Sequence, residues 1–317
     1  MSEVLPKLAL YFRGAGAYWE LSDREEVLVV DAGPLGRYPL NLLPRLRNGH
    51  FGEYDSEGLP VRTGADGRTG VHNYTTLCCF ALAHWEKYLG NGDIENLEKF
   101  LRVADYIVRT ADRNGKVVRL RVERPGQGHV GEVSSIVQGE AISVLCRAWH
   151  ATKRQEYLET AAGCAELFDV AIEDDGVVGR ITARQLPWYE EYPAHRPLRH
   201  VLNGMIYSVW GLRELAVMSG NSRARILASE GVDSIAEALP FFDNGFWSLY
   251  SLPEEGRPYV ASMMYHSLHV CQLTALGQQT GRAEFLQRAE RFKKYSRNAL
   301  CRLGAAASMV RAKLSGN

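Results

Sequence analysis

The sequence is short of the features that most readily betray a function. Its 317 residues carry 37 Lys and Arg against 37 Asp and Glu, a formal net charge of zero. Nothing electrostatic therefore favours a general nucleic-acid binder or a membrane-surface protein. No apolar run approaches the roughly 18 residues of a membrane span. The first ten residues hold an early acidic residue and Pro6 and make a poor secretory signal, so a cytoplasmic location is expected. The six cysteines (Cys78, Cys79, Cys146, Cys164, Cys271 and Cys301) show no CxxC spacing and sit among Leu, Ala and Val. That pattern reads as buried free thiols in a reducing compartment, not as disulfides or a zinc site. There is no P-loop, no HExxH and no GxSxG, and Gly14-Ala15-Gly16 is too short for a dinucleotide fingerprint. His266 and His269 share a spacing that metal ligands use, but no third ligand stands near, so packing is the better reading and no metal is expected.

What is present is a chain rich enough in apolar residues to fold. Hydrophobic residues make up 46% and charged residues 23%, which suits one large globular domain or two unequal ones. Residues 1–70 read as strands and extended chain. Leu8 to Phe12 and Glu26 to Val30 have strand character, and Gly36 to Gly70 is dense in turn residues. From Tyr74 the apolar spacing becomes helical, and a helix–turn–helix unit recurs four times. The turns are Gly90 to Asp93, Thr152 to Arg154, Ser219 to Asn221 and Thr280 to Arg282, a period of about 60 to 67 residues. The flanking runs are Leu77 to Ile107, Val137 to Val170, Leu202 to Leu239 and Tyr265 to Leu300.

Helix pairs at a fixed period bury their apolar faces by stacking into an arc or ring. The predicted fold class is mainly α: an α/α barrel or incomplete toroid of about four helix pairs over residues 71–317, with the small β/extended region of residues 1–70 packed on it. Three long connections, Asp112 to Ser135, Glu173 to Val201 and Pro240 to Met264, should emerge together at one end. Short β-hairpins are predicted in them at Lys116 to Arg121 and Gly176 to Thr182. Trp188 to Pro193, Phe246 to Tyr250 and Met264 to His266 concentrate aromatics with two carboxylates, Glu190 and Glu191, in those connections and at the start of the last pair. Such a set suits a sugar platform, and equally a cap over a helical core.

Six segments stand in register: Tyr38 to Leu42, Ser135 to Leu145, Trp188 to Pro193, Val201 to Ser208, Trp247 to Leu252 and Tyr265 to Leu273. Together they resemble the C-terminal domain of the D-glucuronyl C5-epimerases, which act on glucuronate within heparosan-like polysaccharides. The resemblance runs from about Tyr38 to Tyr295. It implies an α/α helical domain preceded by β structure, an anionic uronate-containing glycan as partner, and pairing of the chain as a homodimer. It places a catalytic glutamate and tyrosines on Glu191, Tyr192, Tyr250 and Tyr265, with Gln138, Trp188, Arg199, Asn203 and His266 as substrate contacts. The chain departs from the family pattern at Glu140, where glutamine is usual, and at Ser251 and Met264, where aspartate is usual. The segment Ala194 to His200 is basic and slightly longer than in animal relatives.

The implied chemistry suits these groups. Inverting C5 of a uronate removes a proton alpha to a carboxylate and returns one to the other face. Holding a phenolate near neutrality means lowering a reference value of about 10 to near 7, on the order of 4 kcal/mol of stabilisation. His195, Arg196, Arg199, His200 and His266 are the cations expected to supply it. The proton inventory balances, so no cofactor is expected. Two other readings stay open: a polysaccharide lyase working through the same C5 carbanion, and a non-catalytic glycan-binding protein on the same scaffold. A glycosidase is less well supported, because adjacent Glu190 and Glu191 do not straddle one bond.

Overall fold

The computed structural model describes residues 20–21, 36–63, 67, 69–124 and 129–314. The segments Leu8 to Phe12, Gly14 to Gly16 and Glu26 to Val30 lie outside the described residues. A two-residue strand β1 (Glu20–Leu21) pairs antiparallel with β2 (Leu40–Asn41). A short helix α1 (Leu43–Arg47) and a small antiparallel pair, β3 (Glu53–Tyr54) with β4 (Pro60–Val61), follow.

The remainder is built from paired helices: α2 (Tyr74–Asn91) with α3 (Ile94–Thr110), α4 (Ser135–Thr152) with α5 (Gln155–Glu166), α6 (Leu202–Ser219) with α7 (Ser222–Ala238), and α8 (Met263–Thr280) with α9 (Ala283–Arg297). The four turns share one device, a left-handed residue that stops the first helix: Gly92, Lys153, Gly220 and Gly281. Side chains then cap several helix starts. Asn73, Asn221 and Ser262 accept from the backbone N–H of Thr76, Ala224 and Tyr265.

The first helix of each pair is the inner one. α4 and α6 are buried on nearly every side, as an apolar composition all round requires. α4 packs against both α2 and α6, and α6 against α8, giving the order α2–α4–α6–α8. Gly139 on α4 and Gly211 on α6 let the two backbones touch. A Cβ on Gly211 would stand 2.2 Å from the Gly139 carbonyl oxygen. The N-terminal segment reaches both ends of this row, because α1 packs on α2 and β1 on α8. Tyr38, Leu40, Leu42, Phe51 and Leu59 join the same core as the helices.

The long connections carry hairpins: β5 (Asp112–Asn114) with β6 (Val117–Arg119), β7 (Val122–Arg124) with β8 (His129–Glu132), β9 (Val178–Ile181) with β10 (Leu186–Tyr189), and β11 (Leu249–Ser251) with β12 (Tyr259–Val260). Two differ in position from the sequence reading. The first hairpin turns at Gly115, so it begins before Lys116. In the other, Gly176 to Thr182 covers one strand only. The turn lies at Thr182 to Gln185, both left-handed, and the second strand holds Trp188 and Tyr189. The helix expected to run to Leu300 breaks at Asn298, whose backbone is extended and whose Oδ1 accepts from the N–H of Leu300 and Cys301. That cap starts an unanticipated helix, α10 (Ala299–Leu314), whose Ala305 packs with Trp247 and Ala261.

Candidate active site

Strand β10 ends in the carboxylate pair. Its exit is pinned to the start of α4: Ser135 Oγ donates to the Tyr189 carbonyl at 2.9 Å, Ser135 N–H to that of Glu190 at 3.1 Å, and Ser134 Oγ to that of Glu191 at 2.7 Å. The two carboxylates then part. Glu190 turns back into the protein, 1% exposed, and meets His200 Nδ1 at 2.5 Å. Burial pushes its carboxyl above the usual value, with His200 pulling the other way. Glu191 lies over the first turn of α6, where Gly204 leaves room for it.

The tyrosines arrive from three elements. Tyr192 follows Glu191. Tyr250 is the middle residue of β11, which is held on one side by β12 and on the other by the segment before α6, through the Val201–Ser251 bridge and the Leu252 N–H to the His200 carbonyl at 3.3 Å. Tyr265 stands in the first turn of α8, above the Ser262 cap. The Tyr250 and Tyr265 rings lie 4.7 Å apart at 57°. Tyr192 is within side-chain hydrogen-bonding reach of Tyr250, and Tyr250 of Tyr265. Each of the three is partly exposed, whereas Glu191 is buried.

The electrostatics separate the two inner phenols. Burial, Glu191 and Tyr192 all push Tyr250 well above its ordinary value. Burial and Glu191 also hold Tyr265 above its ordinary value, against the lowering expected of a phenolate base, but less strongly than Tyr250, because its hydrogen bond with Tyr250 and the charge of Arg45 pull the other way. Arg45 is a residue that sequence reasoning missed. It comes from α1, and its charge interacts with Tyr207, Glu140 and Tyr265. The signal was a single cation within Leu42-Leu43-Pro44-Arg45-Leu46, an otherwise apolar run.

The cations expected around the phenols have partners of their own. His200 is paired with Glu190. Arg196 hydrogen-bonds the carbonyls of Pro193 and His195, and His195 that of Pro197, so both stabilise their own loop. His266 is fully buried, stacked on Trp247 at 3.7 Å, with Nδ1 against Ser248 and Nε2 against the Phe292 carbonyl. Burial lowers it to about 4, so it is neutral. Both of its ring nitrogens are thus engaged within the core. Trp188 is likewise fully buried and stacked on Phe242, behind the site and not on its surface. Arg199 lies over the Tyr259 ring at 5.8 Å, beside the strand that carries Tyr250.

Gln138 and Asn203 sit in the first turns of α4 and α6. Both amide atoms of Gln138 and the Oδ1 of Asn203 are buried without a hydrogen-bond partner among the described residues. Such groups cost free energy unless something else satisfies them. The arrangement thus offers phenols able to exchange protons, a buried carboxylate, the Arg45 cation and unsatisfied amides: equipment for proton transfer on a polar substrate.

Residues 116–294 match the family described as the D-glucuronyl C5-epimerase C-terminus. The D-glucuronyl C5-epimerase of Caenorhabditis elegans is 35% identical over 190 residues, covering 54% of this chain and 30% of that protein. An uncharacterized protein of Methanocaldococcus jannaschii is 28% identical over 162 residues, covering 50% and 51%. The matched region thus spans at most about half of either relative. Among solved structures, the cellobiose 2-epimerase of Spirochaeta thermophila superposes with a TM-score of 0.55 at 14% identity, over 79% of this chain and 67% of that one. A D-mannose isomerase does so with 0.54 at 11% identity, over 75% and 63%. These structures share the fold, a toroid of α/α pairs. With its matched region containing Glu191, Tyr192, Tyr250 and Tyr265, the chain belongs to the D-glucuronyl C5-epimerase C-terminal family.

Proposed function

We propose that this chain is a carbohydrate epimerase that inverts C5 of D-glucuronate residues in a heparosan-like polysaccharide or oligosaccharide. The observation that carries this reading is the contiguous series Tyr192–Tyr250–Tyr265 beside the buried Glu191. Tyr265 is the better base, because Arg45 and the Tyr250 hydroxyl both favour its phenolate. It takes the C5 proton, and the bonding pair passes into an enolate of the uronate carboxylate. Tyr250, held protonated by burial and by Glu191, hydrogen-bonds that phenolate, and C5 is reprotonated from the opposite face. Substrate and product then differ only in configuration, and one proton has been removed and one restored. Gln138 and Asn203 contribute amide hydrogen bonds to the sugar, and Arg199 with Tyr259 lies at the edge where a neighbouring sugar would rest.

Incubation of a desulfated glucuronate polymer in deuterated buffer tests this. Deuterium at C5, with part of the glucuronate converted to iduronate, is the expected result. An unsaturated uronate product would show instead that the C4 bond breaks and that the lyase reading holds. Binding without exchange would favour the non-catalytic one.

A further inference from the structure

Below the tyrosines, three inner helices bring a polar residue to one level: Cys79 on α2, Glu140 on α4 and Tyr207 on α6, each the sixth residue of its helix. Glu140 is 2% exposed. The Cys79 thiol approaches its Oε1 at 3.9 Å. Among the described residues its Oε2 has no hydrogen-bond partner. The groups that face it electrostatically are Tyr38 ahead of β2, Arg45 on α1, Cys78 and Cys79 on α2, Tyr207 on α6, and Glu191 after β10.

Among these described neighbours Arg45 is the one cation and Glu191 a second carboxyl. A uronate bound beside Glu191 would bring a third carboxylate to a single guanidinium. Three ionised carboxylates around one buried cation are unfavourable, so a proton is retained. Burial and Glu191 push Glu140 up to about 8 against the pull of Arg45, which agrees with that count.

We propose that Glu140 is a further substrate-contacting residue of this site, a carboxylic acid whose Oε2 donates a hydrogen bond to the carboxylate of the bound uronate. The ligand rests on the uronate reading above. As C5 loses its proton, negative charge grows on that carboxylate, and a neutral donor held in a buried place binds it more strongly there than in the ground state. An ionised Glu140 would repel the same group.

Two variants test this. Glu140→Gln keeps a donor of nearly the same shape and does not titrate, and Glu140→Ala removes the donor. Infrared difference spectra of wild type against Glu140→Gln read the protonated carboxyl without any substrate. The expected signal is a carboxylic-acid carbonyl band near neutral pH that fades as pH rises through about 8. Absence of that band near neutral pH overturns the proposal. In C5 deuterium exchange on the glucuronate polymer, the wild-type rate should fall above pH about 8. Glu140→Gln should carry that fall to higher pH, and Glu140→Ala should lower kcat/KM about tenfold or more, as loss of a charge-assisted hydrogen bond does. A Glu140→Gln profile falling at the wild-type pH, or an unchanged kcat/KM in Glu140→Ala, overturns the contact. If the band is present but wild type exchanges no uronate, the uronate reading and this ligand fall together, and the protonated carboxyl stands.

Discussion

Gly204 holds the space that Glu191 occupies. A Cβ at Gly204 would stand 2.8 Å from Glu191 Oε2 and 3.0 Å from its Cβ, closer than such atoms approach. Glycine in the first turn of a buried helix gives up as much as about 1 kcal/mol of helix propensity relative to alanine. Here it keeps a carboxylate against the backbone of α6. Gly204→Ala should fold, with a circular dichroism spectrum like wild type, while its C5 exchange falls by about a hundredfold, the scale of a misplaced catalytic group. An unaltered rate would show that the position of Glu191 does not matter.

Arg147 and Glu214 join the two most buried inner helices. The pair is bidentate, with Nη1 to Oε2 at 2.7 Å and Nη2 to Oε1 at 2.8 Å, and Arg147 is fully buried beneath the Tyr38 ring. Removing one partner strands the other charge. Arg147→Met should cost about 3–5 kcal/mol in denaturant unfolding, and adding Glu214→Leu should recover most of it. Equal losses in the single and double variants would contradict this.

His266 and His269 make the core sensitive to acid. Burial lowers them to about 4 and about 3 from an ordinary 6.5. Below pH 6.5 the unfolded chain therefore binds protons that the folded chain refuses. Stability should fall as pH drops from about 6.5 toward 4, by on the order of a few kcal/mol. His269→Asn keeps a polar group beside Ser248 and does not titrate, so it should flatten the slope of unfolding midpoint against pH. A slope identical to wild type would assign the acid sensitivity elsewhere.

The helix pairs were legible because each turn announces itself. Gly92, Gly220 and Gly281 end helices in a conformation that glycine favours, and the apolar runs around them have one period. The grouping of Tyr192, Tyr250 and Tyr265 beside Glu191 was legible only through resemblance to a family, since spacing alone fits a core cap equally well. Two neighbours of these residues lie deeper than the sequence suggests. His266 follows Tyr265 on a helix, where consecutive residues do not share a face, and it points into the core. Trp188 and Tyr189 end a strand whose two faces are both covered there, so both side chains are fully buried. Arg45 and Glu140 were out of reach for another reason. Their meeting depends on a five-residue helix packing across α2, and no local pattern encodes that approach. The break at Asn298 was hidden because the amphipathic spacing continues through it.

The central claim is that Tyr250 and Tyr265 act on C5 from their shared position 4.7 Å apart. The most direct measurement is C5 deuterium incorporation into a glucuronate polymer by wild type, Tyr250→Phe and Tyr265→Phe, with thermal unfolding as the control for folding. The account predicts exchange in wild type, a loss of about 10²- to 10⁴-fold in each variant, and unfolding temperatures close to wild type. Exchange at the wild-type rate in both phenylalanine variants would contradict it.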